Sequence, residues 1–150
     1  MTIRKATIND LYAIVDLLAD DELGQIREQL KNPLPTSYIK AFETITEDAH
    51  QELMVVENES SEIIGTFQLT FIQYLNYSGG LRAQVETVQI RKDHRSLGIG
   101  KRIFEWIIQH AKARNAIILQ LTSDKKRPRA IKFYEALGFT ATHEGMKMHF

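Results

Sequence analysis

Arg95-Ser96-Leu97-Gly98-Ile99-Gly100-Lys101 lies between an apolar, strand-like run over residues 85–90 and a helix-like run over residues 103–113. An arginine, two glycines spaced by one residue and a lysine at the mouth of a helix are what a phosphate needs. The first N–H groups of a helix have no partner inside it and carry the positive end of its dipole. Glycines let that backbone approach a ligand closely, and Arg95 and Lys101 add charge. Gly-x-Gly alone is also compatible with a plain strand-to-helix turn. A dinucleotide site needs a third glycine three residues after Gly100, and position 103 is Ile. A Walker loop needs Gly at 95 and Ser or Thr at 102, where this chain has Arg95 and Arg102.

The rest of the chain supplies alternating elements. Residues 3–6 read as a short strand, and Thr7 with Asp10 has capping-box spacing. Leu11, Ile14, Val15 and Leu18 follow helical spacing to about Ala19. Gly24, Pro33 and Pro35 break residues 20–35, and Tyr38, Ala41, Phe42 and Ile45 mark a second helix. Residues 53–57 and 63–71 read as strands joined by Asn58-Glu59-Ser60-Ser61, a hairpin signal. A turn over 76–80 leads into a strand over 81–90. Residues 116–122 (AIILQLT) suit a strand buried on both faces. Pro128 opens a last helix, Gly138 ends it, and residues 139–150 are expected to add one or two final strands. The order β-α-α-β-β-β-α-β-α-β(-β) predicts an α/β fold with a mixed sheet.

The chain has 150 residues, so one domain over 1–150 is expected. It is 43% apolar and 25% charged, as in ordinary globular proteins. Lys plus Arg equals Asp plus Glu at 19 each, which argues against a dedicated nucleic-acid binder. There is no cysteine, which rules out disulfides, thiolate metal ligands and a cysteine nucleophile and fits a cytoplasmic protein. The N-terminus has no apolar signal region, and no window approaches the ~18 apolar residues of a membrane span. The histidines at 50, 94, 110, 143 and 149 form no ligand pair, so no metal is expected.

The stretch VQIRKDHRSLGIGKRIFEWII resembles the acetyl-CoA-binding segment of the GCN5-related N-acetyltransferase (GNAT) family, whose pattern is Arg/Gln-x-x-Gly-x-Gly/Ala between a strand and a helix. AIKFYEALGF, residues 130–139, is similar to the family's downstream A-x-x-x-Y-E-x-x-G-F segment. The two motifs occur in the family's order, and the element order matches over about residues 2–150. The resemblance implies the GNAT-like acyl-CoA N-acyltransferase fold and transfer of acetyl from acetyl-CoA directly to a primary amine of a small molecule or peptide. The backbone of Val88, Gln89 and Ile90 would hold the pantetheine arm and thioester carbonyl. The pyrophosphate would sit on Arg95, Ser96, Leu97, Gly98, Ile99, Gly100 and Lys101. Tyr134 matches the family's general acid; its alternative is a packed core aromatic.

Glu86 matches the place where several family members carry a general base. An acid within an apolar strand is costly unless used or paired, and desolvation would raise its pKa. The alternative is a carboxylate neutralised by Arg82. The family's Asn before the downstream motif is replaced by Arg127; Ser123 or Arg127 itself could take over toward CoA. Arg91 and Lys92 are more at home on a solvated surface than at the adenosine 3′-phosphate. Acceptor choice is expected in residues 23–45, in 74–80 and near the C-terminus. Asp20, Asp21 and Glu22 could attract a cationic amine, and Tyr74 and Tyr77 could line an aromatic pocket. The family often pairs through late strands or exposed helix faces, which leaves room for a homodimer. A non-catalytic acyl-CoA-binding or sensing module on the same fold is the competing function; it would keep the loop and have no need of Glu86 and Tyr134.

Overall fold

The computed structural model describes residues 1–20, 25 and 27–150. Five strands form one sheet in chain order: β1 (Thr2–Lys5), β2 (Gln51–Glu57), β3 (Ile63–Gln73), β4 (Leu81–Ile90) and β5 (Ala116–Leu121). The first four pair antiparallel, and β5 joins β4 in parallel. Helices α1 (Leu11–Ala19) and α2 (Thr36–Glu47) precede β2, α3 (Ile99–Ala113) connects β4 to β5, and α4 (Pro128–Ala136) follows β5. The expected mixed α/β order therefore holds from β1 to α4. None of the helices is long and apolar enough to cross a membrane among the described residues.

Alternation along the strands sends side chains to two cores. Phe67, Leu69, Phe71, Ala83 and Val85 pack under Ile103, Phe104, Ile107 and Ala111 of α3. On the other face Val55 meets Leu11, Ile14, Val15 and Phe42 of α1 and α2. Thr7 and Asp10 form the expected N-terminal contact before α1, with the Asp10 carboxylate accepting from the Thr7 N–H at 2.7 Å and its hydroxyl at 2.9 Å. Asn58 builds the β2–β3 hairpin by accepting from the N–H groups of Ser60 and Glu62, each at 2.9 Å.

Three expectations need correction. Helix α3 begins at Ile99 rather than 103, because left-handed Gly98 (φ 78°) ends the loop and serves as its N-cap. Strand β5 is the edge of the sheet rather than buried on both faces, and Ile117 is 55% exposed. Residues 139–150 add no strand. Gly145 and a run of His, Glu, Lys and Thr give that segment low strand propensity. Phe139 packs on the core, but Met146, Met148 and Phe150 stay exposed, so no burial offsets the entropy of ordering a further strand.

Candidate active site

The site begins where β4 breaks its own regularity. Thr66 pairs with Gln89 and Gln68 with Glu86, so two residues of β4, Thr87 and Val88, oppose the single Phe67. This is a β-bulge, with Thr87 at φ 52°. A β-branched residue in the left-handed region is strained by about 1–3 kcal/mol and persists only where its surroundings enforce it. Gly65 helps to enforce it: a Cβ there would lie 3.0 Å from the Gln89 carbonyl oxygen.

Beyond the bulge, β4 loses its other neighbour. The parallel ladder with β5 runs from Leu81↔Ala116 to Val85↔Leu121 and stops. Residues 86–90 thus have β3 on one side and an open edge on the other. An unpaired strand edge is a row of N–H and C=O groups ready to bond an extended chain. Val88, Gln89 and Ile90 belong to this stretch of β4; the Ile90 carbonyl already accepts from Arg95, and the side chains of Val88 and Ile90 pack against the core.

The glycine loop closes one end of this slot. Ser96 (φ 63°) and Gly98 are both left-handed. The first backbone bond into α3 runs from the Arg102 N–H to the Gly98 carbonyl at 3.2 Å. The N–H groups of Ile99, Gly100 and Lys101 therefore precede the helix's own bonding and are available to an anion. The two glycines serve different ends. A side chain at 98 would meet open space but a disfavoured φ, whereas a Cβ at 100 would press to 3.3 Å from Phe133 Cζ and 3.5 Å from Ile90 Cδ1. Arg95 braces the loop: its Nε donates to the Ile90 carbonyl at 2.7 Å and its Nη2 to Asp20 at 3.1 Å. Leu97 and Lys101 are exposed. Arg91 is occupied by Asp93 at 2.8 Å and Glu62 at 3.7 Å, while Lys92 lines an open cleft of about 360 Å³ beside the end of α1.

Tyr134 approaches from α4. Its ring sits 5.4 Å from Phe104 and 5.4 Å from Phe133, edge to face. The helix ends just behind it in a Schellman motif: Phe139 N–H donates to the Tyr134 carbonyl at 3.1 Å and Gly138 N–H to Glu135 at 2.9 Å, with Gly138 at φ 95°. Burial pushes the Tyr134 hydroxyl above the ordinary phenol value; Arg127 works against that shift and Glu86 with it. The phenol is consequently protonated at neutral pH, as a proton donor must be. Glu86 and Arg127 thus each lie within electrostatic reach of Tyr134. Arg127 is exposed at the N-cap of α4, and Ser123 is half-buried just after β5.

Glu86 departs from expectation. It is exposed rather than buried, and its carboxylate accepts from Gln84 Nε2 at 2.6 Å rather than pairing with Arg82. The bulge and the parting from β5 open the strand at this point, which is why an acid is tolerated there. Glu86 belongs to a row across the sheet that sequence reading missed: Gln120 donates to Gln84 at 2.6 Å, and Gln84 in turn to Glu86. The signal was present as the alternation Arg82-Ala83-Gln84-Val85-Glu86, polar on one face and apolar on the other. On that face, Leu11, Ile14, Leu18 and Phe42 with Gln68 and Thr87 surround a cavity of about 160 Å³ between α1, α2 and the bulge. Asp20 is engaged with Arg95, while Asp21, Glu22, Leu23 and Gly24 lie outside the described residues. Among the described residues no cluster of His, Asp and Glu is placed to hold a metal.

The Acetyltransferase (GNAT) family model matches residues 12–139. A crystal structure described as a transcriptional regulator from Bacillus halodurans C-125 is 50% identical, with a TM-score of 0.95 and 99% of each chain covered. An acetyltransferase from Trypanosoma brucei (20% identical, TM-score 0.79, 99% of each chain) shares the fold. So does glucosamine-6-phosphate N-acetyltransferase from Arabidopsis thaliana (22% identical, TM-score 0.79, 99% of this chain and 97% of that one). A search of the curated proteins gives no match.

Proposed function

We propose, from the premise that this chain belongs to the GNAT family of acetyltransferases, that it moves acetyl from acetyl-CoA directly to a primary amine of a small molecule or peptide, as a single domain over residues 1–150. The observation that carries this reading is the open edge of β4 after Val85↔Leu121, with the loop amides at one end, Glu86 on the strand itself and Tyr134 within electrostatic reach of Glu86. The fit to CoA rests on these donors: an extended pantetheine arm suits the backbone of Val88, Gln89 and Ile90, and a pyrophosphate suits the N–H groups from Ser96 to Lys101. Ser123, just after β5, and Arg127, at the N-cap of α4, suit the polar parts of the cofactor.

Acetyl-CoA supplies the acetyl group as a thioester. The chain's own residues supply the rest. Backbone N–H groups beside the bulge stabilise negative charge developing on the carbonyl oxygen, a role that needs fixed donors and no particular side chain. Glu86, held by Gln84, accepts the proton that the attacking amine must lose. Tyr134 donates toward the departing sulfur; its protonated state at neutral pH supports that assignment.

A second reading has its own support. The 50%-identical relative is described as a transcriptional regulator, which favours a module that binds acyl-CoA as a signal. Tyr134→Phe and Glu86→Gln separate the two. The enzyme reading expects each variant to keep the rise in melting temperature caused by acetyl-CoA while kcat falls roughly 10²-fold. A wild-type protein that binds acetyl-CoA but acetylates no amine in a broad panel would decide for sensing.

A further inference from the structure

Arg4 and Arg82 are the arginines that lie within the strands, and their surroundings differ. Arg4 meets the carboxylates of Asp10 at 2.7 Å and Glu57 at 2.6 Å. Arg82 is half-buried on β4, its Nε is shielded from solvent, and that Nε has no hydrogen-bond partner among the described residues. Its guanidinium instead lies 4.6 Å from the centroid of the Tyr74 ring and 5.2 Å from that of Tyr77. The turn over Asn76–Gly79 places Tyr77 there at a cost, with Tyr77 at φ 51° and Ser78 at φ 56°. Two aromatic faces orient a guanidinium and offset part of its desolvation, but they leave the buried Nε–H unmatched. A planar cation held in this way is preorganised for an oxyanion.

Its position says what that anion belongs to. Arg82, Gln84 and Glu86 alternate along one face of β4, and the Gln84–Glu86 hydrogen bond fixes that face as the one bearing the amine-side carboxylate. Four residues separate Arg82 from Glu86, on the order of 13 Å along a strand. We propose that Arg82, clamped by Tyr74 and Tyr77, is an acceptor-specificity site that takes the anionic group, carboxylate or phosphate, of an amine whose nitrogen reacts beside Glu86. This rests on the acetyltransferase reading and narrows it: the acceptor is zwitterionic and long, with its acid far from its amine. Gln84 lies between the two ends, where it can bond a polar linker.

The test compares kcat/KM for ω-amino acids and ω-aminoalkyl phosphates of graded chain length with that for the corresponding alkylamines. The acid-bearing acceptors are expected to win by about tenfold or more, the advantage appearing in KM and only for chains long enough to span the two residues. Arg82→Gln should bring the acid-to-neutral ratio close to one, and Arg82→Lys, which keeps the charge, should restore part of it. Comparing the carboxylate and phosphate arms identifies which oxyanion is preferred. A ratio near one in the wild type at every length, or a ratio that Arg82→Gln leaves intact, overturns this inference while acetyl transfer itself stands. No transfer to any of these amines, with no acetyl-CoA-dependent rise in melting temperature, overturns both.

Discussion

Single residues in this chain do work that their type alone does not reveal. Gly98 and Gly100 look alike in the motif, yet one answers a left-handed φ and the other the nearness of Phe133. Arg95 was expected near phosphate; its guanidinium is spent in part on Ile90 and Asp20, so its contribution includes holding the loop's shape. Arg4 is the hub of the N-terminal strand, with Asp10 at 2.7 Å and Glu57 at 2.6 Å. The hydrogen bond from Arg4 is the main reason Asp10 titrates at about 2 instead of 3.8; burial opposes it and Thr7 assists it. A depressed carboxylate stabilises the fold above its unfolded pKa and loses that contribution as pH falls through the folded value. The stabilisation from Asp10 should therefore be present above pH 4 and fade toward pH 2. It is worth up to about 2 kcal/mol, less what solvent screens at the exposed edge of Arg4. Urea unfolding from pH 6 to pH 2 should show this slope, and Asp10→Asn should flatten it.

At the scale of elements, the positions that matter are those where regular structure gives way: the bulge of β4, its parting from β5, and the left-handed entry to α3. Helix α3 must be held firmly for its N-terminus to face the slot. Its far end is anchored by Glu52 of β2, which is 4% exposed and accepts from His110 at 2.7 Å and Arg114 at 2.6 Å. His110 stacks on Trp106 with centroids 4.6 Å apart, and Arg114 lies over Phe71. Glu52→Gln keeps the shape but removes the charge, and is expected to cost about 2 kcal/mol in denaturant unfolding. An unchanged midpoint would show that packing alone holds the helix. Much of this layer was legible in the sequence. Apolar spacing located α1, α2 and α3, Asn58 and the Gly79–Gly80 pair marked the turns, and Gly138 marked the end of α4. The bulge at Thr87 was not, because alternation carries no sign of a two-against-one register until the partner strand is known. The exposure of Glu86 was hidden for the same reason: it follows from where β5 stops. The final strands were over-read: residues 139–150 leave Met146, Met148 and Phe150 exposed and add nothing to the open side of β5.

The whole molecule divides its labour by face and edge. Phe67, Leu69 and Val85 seal the sheet against α3, while α1 and α2 cover only part of the opposite face. The remaining part carries Arg82, Gln84, Glu86 and Gln120 in place of a third core. CoA and acceptor are thus assigned to different regions that meet at the Thr87 bulge, one along the open edge and one across the polar face. The proposed CoA half can be read in the sequence because it is written contiguously in residues 88–101 and 130–139. The proposed acceptor half is assembled from separate strands and a turn, which no local motif records. The proposed direct transfer makes one measurement decisive, and the chain is suited to it because it contains no cysteine, so every free thiol that appears would come from CoA. Thiol release and amine acetylation are followed together with a long ω-amino acid as acceptor. One thiol per acetylated amine, in a reaction slowed roughly 10²-fold by Tyr134→Phe, is the expected result. Thiol release with no acetylated amine, or no release at all from a protein whose melting temperature acetyl-CoA raises, would contradict it.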